Sequence, residues 1–145
     1  MSISDYNHIR GRILVIELFK ALGDENRLRI LNVLMNDALC VCELEVVLGL
    51  TQSNVSRHLG KLKSLGLLRA SKDAQWIHYR INDDFVIKHE ALVEYLKVNF
   101  ESNALMTIDL SRYKAYKNSG YNCQTITNDK AMVIEYIEHE TGCCV

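Results

Sequence analysis

The sequence predicts a mainly α-helical fold with a small β-hairpin. Apolar residues recur at helical spacing through much of the chain. The 145 residues include seven glycines and no proline, so helices can alternate with short connections. One stretch departs from that spacing. Residues 75–81 alternate, with Ile77, Tyr79 and Ile81 on one face, which is the period of a strand.

Helix ends are marked by residues with distinct backbone preferences. The helices are predicted over residues 13–22, 25–36, 43–48, 52–65, 84–100 and 129–140. Gly23 ends the first and Asp24 caps the second, while Gly49 and Thr51 separate the third from the fourth. The first helix is apolar on most sides, so we expect it to be buried, possibly against a second subunit.

The third and fourth helices are joined by a short turn containing Gly49, which is typical of a helix-turn-helix. Strands over residues 67–72 and 75–81 then predict a β-hairpin wing. Asp73 and Ala74 are not a favoured pair for a two-residue turn, so we expect a longer loop. The predicted fold is therefore a winged helix-turn-helix.

Beyond the helix at 84–100 the sequence changes character. Residues 101–128 are richer in polar residues and tyrosine and show no sustained period, which predicts an ordered or semi-ordered extension. We accordingly divide the chain into a domain at 1–101 and a C-terminal extension at 102–145 that carries Cys123, Cys143 and Cys144.

Composition limits the classes of function. No apolar stretch is long enough to span a bilayer, and the polar first twelve residues do not resemble a signal peptide, so we expect a cytoplasmic protein without a membrane partner. In that reducing compartment, five cysteines favour metal or redox chemistry over disulfides. Because the net charge is −1, any binding of nucleic acid must rest on a local basic face.

Several motifs in order resemble the ArsR/SmtB family of metal-sensing repressors. They are FKALGDENRLRIL at 19–31, LCVCEL at 39–44, TQSNVSRHL at 51–59 and GLL at 66–68. The likeness covers about residues 13–100. It implies a winged-helix homodimer that occupies operator double-stranded DNA when ligand-free and leaves it when an inducer binds. The resemblance also implies that the helices at 13–22 and 84–100 form the dimer interface.

The second helix of a helix-turn-helix enters the major groove. Its polar residues are candidate base contacts: Gln52, Ser53, Asn54, Ser56, Arg57 and His58. Five cations on this helix and the wing are better placed for phosphates, which fix register without reading sequence. They are Lys61, Lys63, Arg69, Lys72 and Arg80. By pattern alone, the same residues equally fit the solvated face of an amphipathic helix.

Cys40 and Cys42 are the candidate metal ligands. A helix start lowers thiol pKa and so supplies the thiolates that soft ions require. The alternative is that both are small buried apolar residues. In the arsenic-responsive branch that this motif resembles, a third cysteine follows three residues later, where this chain has Glu45. We therefore expect Cys123, Cys143 or Cys144 to complete the site, or to form a separate one, unless these are incidental thiols.

The resemblance makes trivalent arsenic or antimony the expected inducer, with cadmium, lead or zinc as alternatives and no organic cofactor. Cadmium- and lead-sensing relatives add cysteines from the N-terminus, whereas residues 1–39 contain none. The spacing of Asp83, Asp84, His89 and Glu90 does not match the ligand pairs of zinc or nickel sensors. A thiol-redox transcription switch stays open. An enzyme is disfavoured because the sequence has no glycine-rich phosphate loop and no nucleophile elbow.

Overall fold

The computed structural model describes residues 2–142, with side chains for all of them except residues 6–13. Its helices are α1 (Ile3–Leu22), α2 (Glu25–Leu34), α3 (Val41–Leu48), α4 (Gln52–Ser64), α5 (Asp83–Lys88), α6 (Glu90–Glu101), α7 (Ala104–Ser119), α8 (Cys123–Asn128) and α9 (Lys130–Thr141). Its strands are β1 (Leu39–Cys40), β2 (Leu68–Asp73) and β3 (Trp76–Ile81), which form an antiparallel sheet in the order β1-β3-β2. A mainly α fold with a β-hairpin is thus confirmed.

The predicted caps explain the helix-turn-helix. The Asp24 side chain accepts a hydrogen bond from the backbone N–H of Arg27 at 3.1 Å and starts α2. Gly49 ends α3 in the left-handed region at φ 68°, where glycine carries no steric penalty. Thr51 then accepts from the N–H of Asn54 at 3.3 Å and starts α4.

The wing differs from prediction at its turn. Asp73 pairs directly with Trp76, so the loop consists of Ala74 and Gln75 alone, and the predicted longer loop is wrong. Ala74 adopts φ 54°, a conformation that costs a residue with a Cβ about 1–2 kcal/mol. An unpredicted third strand, β1, pairs Cys40 with His78 of β3.

The predicted helix over 84–100 is interrupted. His89 leaves helical geometry at φ −124° and ψ 42°, which divides it into α5 and α6. Asn82, and neither Asp83 nor Asp84, caps α5, because its side chain accepts from the N–H of Asp84 at 3.1 Å.

Residues 101–128, which were expected to lack a sustained period, are mainly helical. The buried face of α7 carries Met106, Asp109, Arg112 and Tyr116 at intervals of three or four residues. Since two of these four are charged, a search for apolar periodicity misses them. α9 adds Val133 and Ile137 to the same apolar core that contains the inward faces of α3 and α4. None of the helices within residues 2–142 combines the length and hydrophobicity that crossing a bilayer requires.

Two buried arginines hold the C-terminal end of α3. The guanidinium of Arg112 donates to the carbonyl oxygens of Val47 at 2.7 Å and Val46 at 3.0 Å. Arg29 donates to the carbonyl of Leu48 at 2.8 Å. Gly49 N–H satisfies the carbonyl of Glu45, so each of the last four carbonyls of α3 has a donor. Positive charge there also complements the helix dipole.

His58 is placed differently from the other polar residues of α4. Its ring is 1% exposed, and its Nδ1 accepts a hydrogen bond from Arg27 Nε at 3.1 Å. Burial lowers the pKa of His58, with the charges of Arg57 and Arg27 acting in the same direction. His58 therefore fixes α4 against the start of α2, and its contact with DNA stays a prediction.

Replacing Arg112 with methionine removes the donors from two buried carbonyls while keeping an unbranched apolar stem. We expect Arg112→Met to lower the free energy of unfolding by about 2–5 kcal/mol, because buried acceptors left without partners pay their full desolvation penalty. Lys114 is exposed on the same helix, so Lys114→Met is the matched control. It should change the free energy of unfolding by less than about 0.5 kcal/mol. Urea denaturation followed by circular dichroism measures both, and equal effects would refute the capping role.

The burial of neutral His58 predicts a pH dependence of stability. An unfolded histidine has a pKa of about 6.5. Since the folded protein holds the pKa of His58 below its ordinary value, the unfolded chain takes up the proton first, and the free energy of unfolding decreases as pH falls below that point. Chemical denaturation between about pH 7.5 and 5.5 measures how the free energy of unfolding changes with pH. That free energy should fall less steeply with pH in His58→Gln than in the wild type. His139→Gln, at an exposed position, should keep the wild-type slope.

Candidate functional site

One exposed face of α4 gathers the polar residues expected to read DNA. Val55, Leu59 and Leu62 are fully buried and fix the opposite face in the core. The candidates on the outer side are exposed, except for half-buried Asn54: Gln52, Ser53, Asn54, Ser56 and Arg57. Arg57 also donates to the side-chain oxygen of Asn54 at 3.3 Å. This face therefore offers both donors and acceptors in the first two turns of the helix.

The candidate phosphate contacts fall into two groups. Lys63 and Lys72 are exposed on α4 and β2. The others lie beside carboxylates: Lys61 is 3.6 Å from Glu17, Arg69 is 2.7 Å from Asp84, and Arg80 is 3.5 Å from Asp83. Surface pairs of this kind contribute little to stability, so phosphate groups can replace the carboxylates.

Three cysteines from two distant parts of the chain converge at the start of α3. Cys40 is the N-cap residue of α3, Cys42 lies in its first turn, and Cys123 is the first residue of α8. Their sulfur atoms all lie within 4.8 Å of one another, and Cys40 and Cys42 Sγ are 2.9 Å apart. We call this group the three-thiol cluster. Cys143 and Cys144 lie outside the described residues.

Local hydrogen bonds fix the cluster from both sides. β1 pairs with β3 at Cys40, and the N–H of Cys40 donates to Glu43 Oε1 at 3.1 Å. On the other side, the Asn122 side chain accepts from the N–H of Thr125 at 3.0 Å and starts α8 at Cys123. The positions of the sulfurs are therefore set by backbone elements on both sides.

The three sulfurs differ in acidity. The hydrogen bond from Cys42 lowers the pKa of Cys40, against the effect of burial. The same hydrogen bond and burial raise the pKa of Cys42. Burial raises the pKa of Cys123, and the neighbouring Cys40 sulfur and the Glu43 charge add to that effect. Cys40 is therefore the most acidic of the three thiols.

Glu45, which occupies the position of the expected third cysteine, serves a different purpose. It is 7% exposed and its Oε1 is 3.4 Å from Lys130 Nζ, so it ties α3 to the start of α9. The third sulfur of the cluster belongs to Cys123, the one cysteine of the extension among the described residues.

Other residues that hold α3 in place escaped sequence reasoning. Tyr116 O–H donates to Glu43 Oε2 at 2.5 Å, and Arg29 makes a two-point ion pair with Asp109 at 2.8 and 2.9 Å. The available signal was the interval of three or four residues between Met106, Asp109, Arg112 and Tyr116 on α7. The chemistry that results is that of a soft, sulfur-only binding site, since clustered thiolates select thiophilic ions. Neighbouring thiols of this kind are also open to oxidation.

Comparisons with known proteins find relatives for part of the chain. Residues 24–70 match the family described as "Bacterial regulatory protein, arsR family". The chain is 45% identical to the arsenical resistance operon repressor of Escherichia coli over 71 residues, which are 48% of this chain and 61% of that repressor, less than two thirds of its length. It is 40% identical to the cadmium resistance transcriptional regulatory protein CadC of Listeria innocua over 88 residues, which are 60% of this chain and 71% of that protein.

Among solved structures, the chain resembles the homodimeric winged helix-turn-helix DNA-binding domain of a possible ArsR-family regulator from Mycobacterium bovis. The TM-score is 0.55 at 28% identity, covering 66% of this chain and 86% of that domain. Cys40 and Cys42 lie inside the family match at 24–70, whereas Cys123 lies outside it. Fold, motifs and relatives thus lead to one conclusion: the chain belongs to the arsR family of bacterial regulatory proteins and is a winged-helix transcriptional regulator.

Proposed function

We propose that the protein is a homodimeric repressor that binds operator double-stranded DNA when ligand-free and is released when trivalent arsenic or antimony binds Cys40, Cys42 and Cys123. The observation that carries the proposal is the three-thiol cluster, in which all sulfurs lie within 4.8 Å of one another. In this account residues 1–101 bind DNA and dimerise, while the extension at 102–145 supplies the third sulfur.

The number of ligands favours a trivalent metalloid. Arsenous acid condenses with three thiols to give a neutral trithiolate and three water molecules, so the partly buried site gains no net charge. Zinc prefers four ligands in a tetrahedron. Within residues 2–142, only the three cysteines meet as a group of possible metal ligands at this site, and no fourth group joins them. Cadmium or lead is the second candidate, because a relative at 40% identity is a cadmium resistance regulator.

The exposed face of α4 supports binding in the major groove. Gln52 and Arg57 are exposed there, and such side chains pair with adenine and guanine edges respectively. Lys63 and Lys72 are placed for phosphates on either side, together with Arg80 from the wing once Asp83 gives way.

Unpaired apolar side chains support a homodimer. On α1, Leu14, Val15, Ile16 and Phe19 are 50–60% exposed, and on α6 Tyr95 is 65% and Val98 57% exposed. Several large apolar side chains exposed along one helix are typical of an interface. These two helices correspond to the elements expected to dimerise, and the related domain from Mycobacterium bovis is homodimeric.

Ligand binding is coupled to DNA binding through the position of the cluster. Cys40 ends β1, which pairs with the wing strand β3, and it also begins α3, which packs against α4. Drawing three sulfurs onto one ion displaces the start of α3 and the attached wing strand together, and so changes how α4 and the wing sit on DNA. A coupling of about 1–3 kcal/mol changes operator affinity about 5- to 150-fold.

Operator release by arsenite tests this proposal. We expect Cys40→Ser/Cys42→Ser and Cys123→Ser to bind an operator selected from a duplex library as tightly as the wild type, yet to stay bound when arsenite is added. A chain ending at Gly142 lacks Cys143 and Cys144 and is the matched control, which should be released normally. Fluorescence anisotropy measures both steps. If Cys123→Ser is released normally, Cys123 is not the third ligand; release of the Cys40→Ser/Cys42→Ser variant would exclude the whole site.

A thiol-redox switch is a second candidate, because the 2.9 Å separation of the Cys40 and Cys42 sulfurs also suits oxidation. Peroxide would convert the two thiols to a disulfide and two water molecules. This candidate predicts operator release by peroxide in the absence of metal, whereas the metalloid proposal predicts release by arsenite in the presence of a reductant that does not bind arsenic.

A further inference from the structure

The carboxylate of Glu43 lies beside the three-thiol cluster but is held out of it. Its Oε1 accepts the N–H of Cys40 at 3.1 Å, and its Oε2 accepts the O–H of Tyr116 at 2.5 Å. Glu43 is 7% exposed and Tyr116 is fully buried, so the carboxylate has little access to water. Both oxygens are therefore occupied by donors of the protein itself.

The same carboxylate is close enough to act on the sulfurs. Its negative charge contributes, after burial and the Cys40 hydrogen bond, to the raised pKa of Cys123. It nevertheless stands outside the group of ligand atoms that lie within 4.8 Å of one another. Glu43 thus borders the cluster through the backbone of Cys40, in the first turn of α3, and is not one of its three ligand residues.

We propose that Tyr116 determines the ligand preference of the site by keeping the Glu43 carboxylate away from the sulfurs, so that the cluster offers three ligands and not four. This inference rests on the proposed three-thiol site. It assigns to α7, in the extension, a residue that sets specificity without touching the bound ion.

The preference follows from coordination chemistry. A trivalent metalloid is satisfied by three sulfurs and carries a lone pair where a fourth ligand would lie. A divalent ion bound by three thiolates forms an anion and takes a further ligand, as in tetrahedral sites that mix sulfur and carboxylate oxygen. Releasing Glu43 therefore raises the affinity for the divalent ion and leaves the affinity for the metalloid unchanged. A tyrosine hydroxyl is a suitable restraint, because it donates strongly to a carboxylate and the rigid ring fixes the position of its oxygen.

Tyr116→Phe tests the inference, with Tyr113→Phe as its matched control. Tyr113 lies on the same helix, but its O–H donates to Asp37 at 3.0 Å, away from the cluster. Full-length reduced protein is titrated with arsenite and with cadmium, and binding is followed by the ultraviolet sulfur-to-metal absorption with chelator competition. We expect Tyr116→Phe to shift the ratio of the two affinities about tenfold toward cadmium, the usual scale for residues that support a ligand. Tyr113→Phe should leave the ratio unchanged.

If Tyr116 had only a structural role, its replacement would weaken the binding of both ions alike. The ratio of the two affinities would then stay unchanged, which would overturn the inference. A second variant isolates the carboxylate: in Tyr116→Phe/Glu43→Gln the gain for cadmium should disappear, and its persistence would also contradict the account. Wild-type protein that takes up no arsenite would reject the proposed function and this inference together. Wild-type protein that binds arsenite, with an unmoved ratio in Tyr116→Phe, would reject the inference alone.

Discussion

The C-terminal end of α3 depends on guanidinium groups buried against its carbonyls. A helix that ends inside a protein leaves four acceptors without partners, and here two side chains supply three of the donors: Arg112 to Val46 and Val47, and Arg29 to Leu48. Asp109 balances the charge of Arg29 through two hydrogen bonds. Because Arg112 and Asp109 belong to α7, the first helix of the helix-turn-helix is completed by a segment from outside it.

That constraint explains how the extension comes to contribute a cysteine to the three-thiol cluster. With α7 fixed to the end of α3, the chain turns back through α8 and places Cys123 beside Cys40 and Cys42 at the opposite end of α3. Tyr116 of α7 donates a hydrogen bond to Glu43, and Lys130 of α9 forms an ion pair with Glu45. The extension thus contacts α3 at both ends, and an ion that joins Cys123 to the other cysteines acts on a helix that packs against α4.

The winged helix-turn-helix was predictable because its signals are local. Asp24, Gly49 and Thr51 mark helix ends through their own backbone chemistry, and the strand period of 75–81 indicated the wing. The role of His58 was not predictable, because a polar residue on an amphipathic helix gives no sign that Arg27 will contact it. The inward face of α7 was missed because Asp109 and Arg112 interrupt its apolar pattern.

The cysteine site was half predictable. Cys40 and Cys42 stand in a motif, and Glu45 indicated that a third sulfur would come from elsewhere. Only tertiary structure shows that Cys123 lies beside the pair. X-ray absorption at the arsenic edge on the arsenite-loaded protein tests this most directly. The account predicts three sulfur neighbours in the wild type, and two sulfurs with one oxygen in Cys123→Ser. Three sulfurs in that variant would contradict it, because the third ligand would then come from another part of the chain.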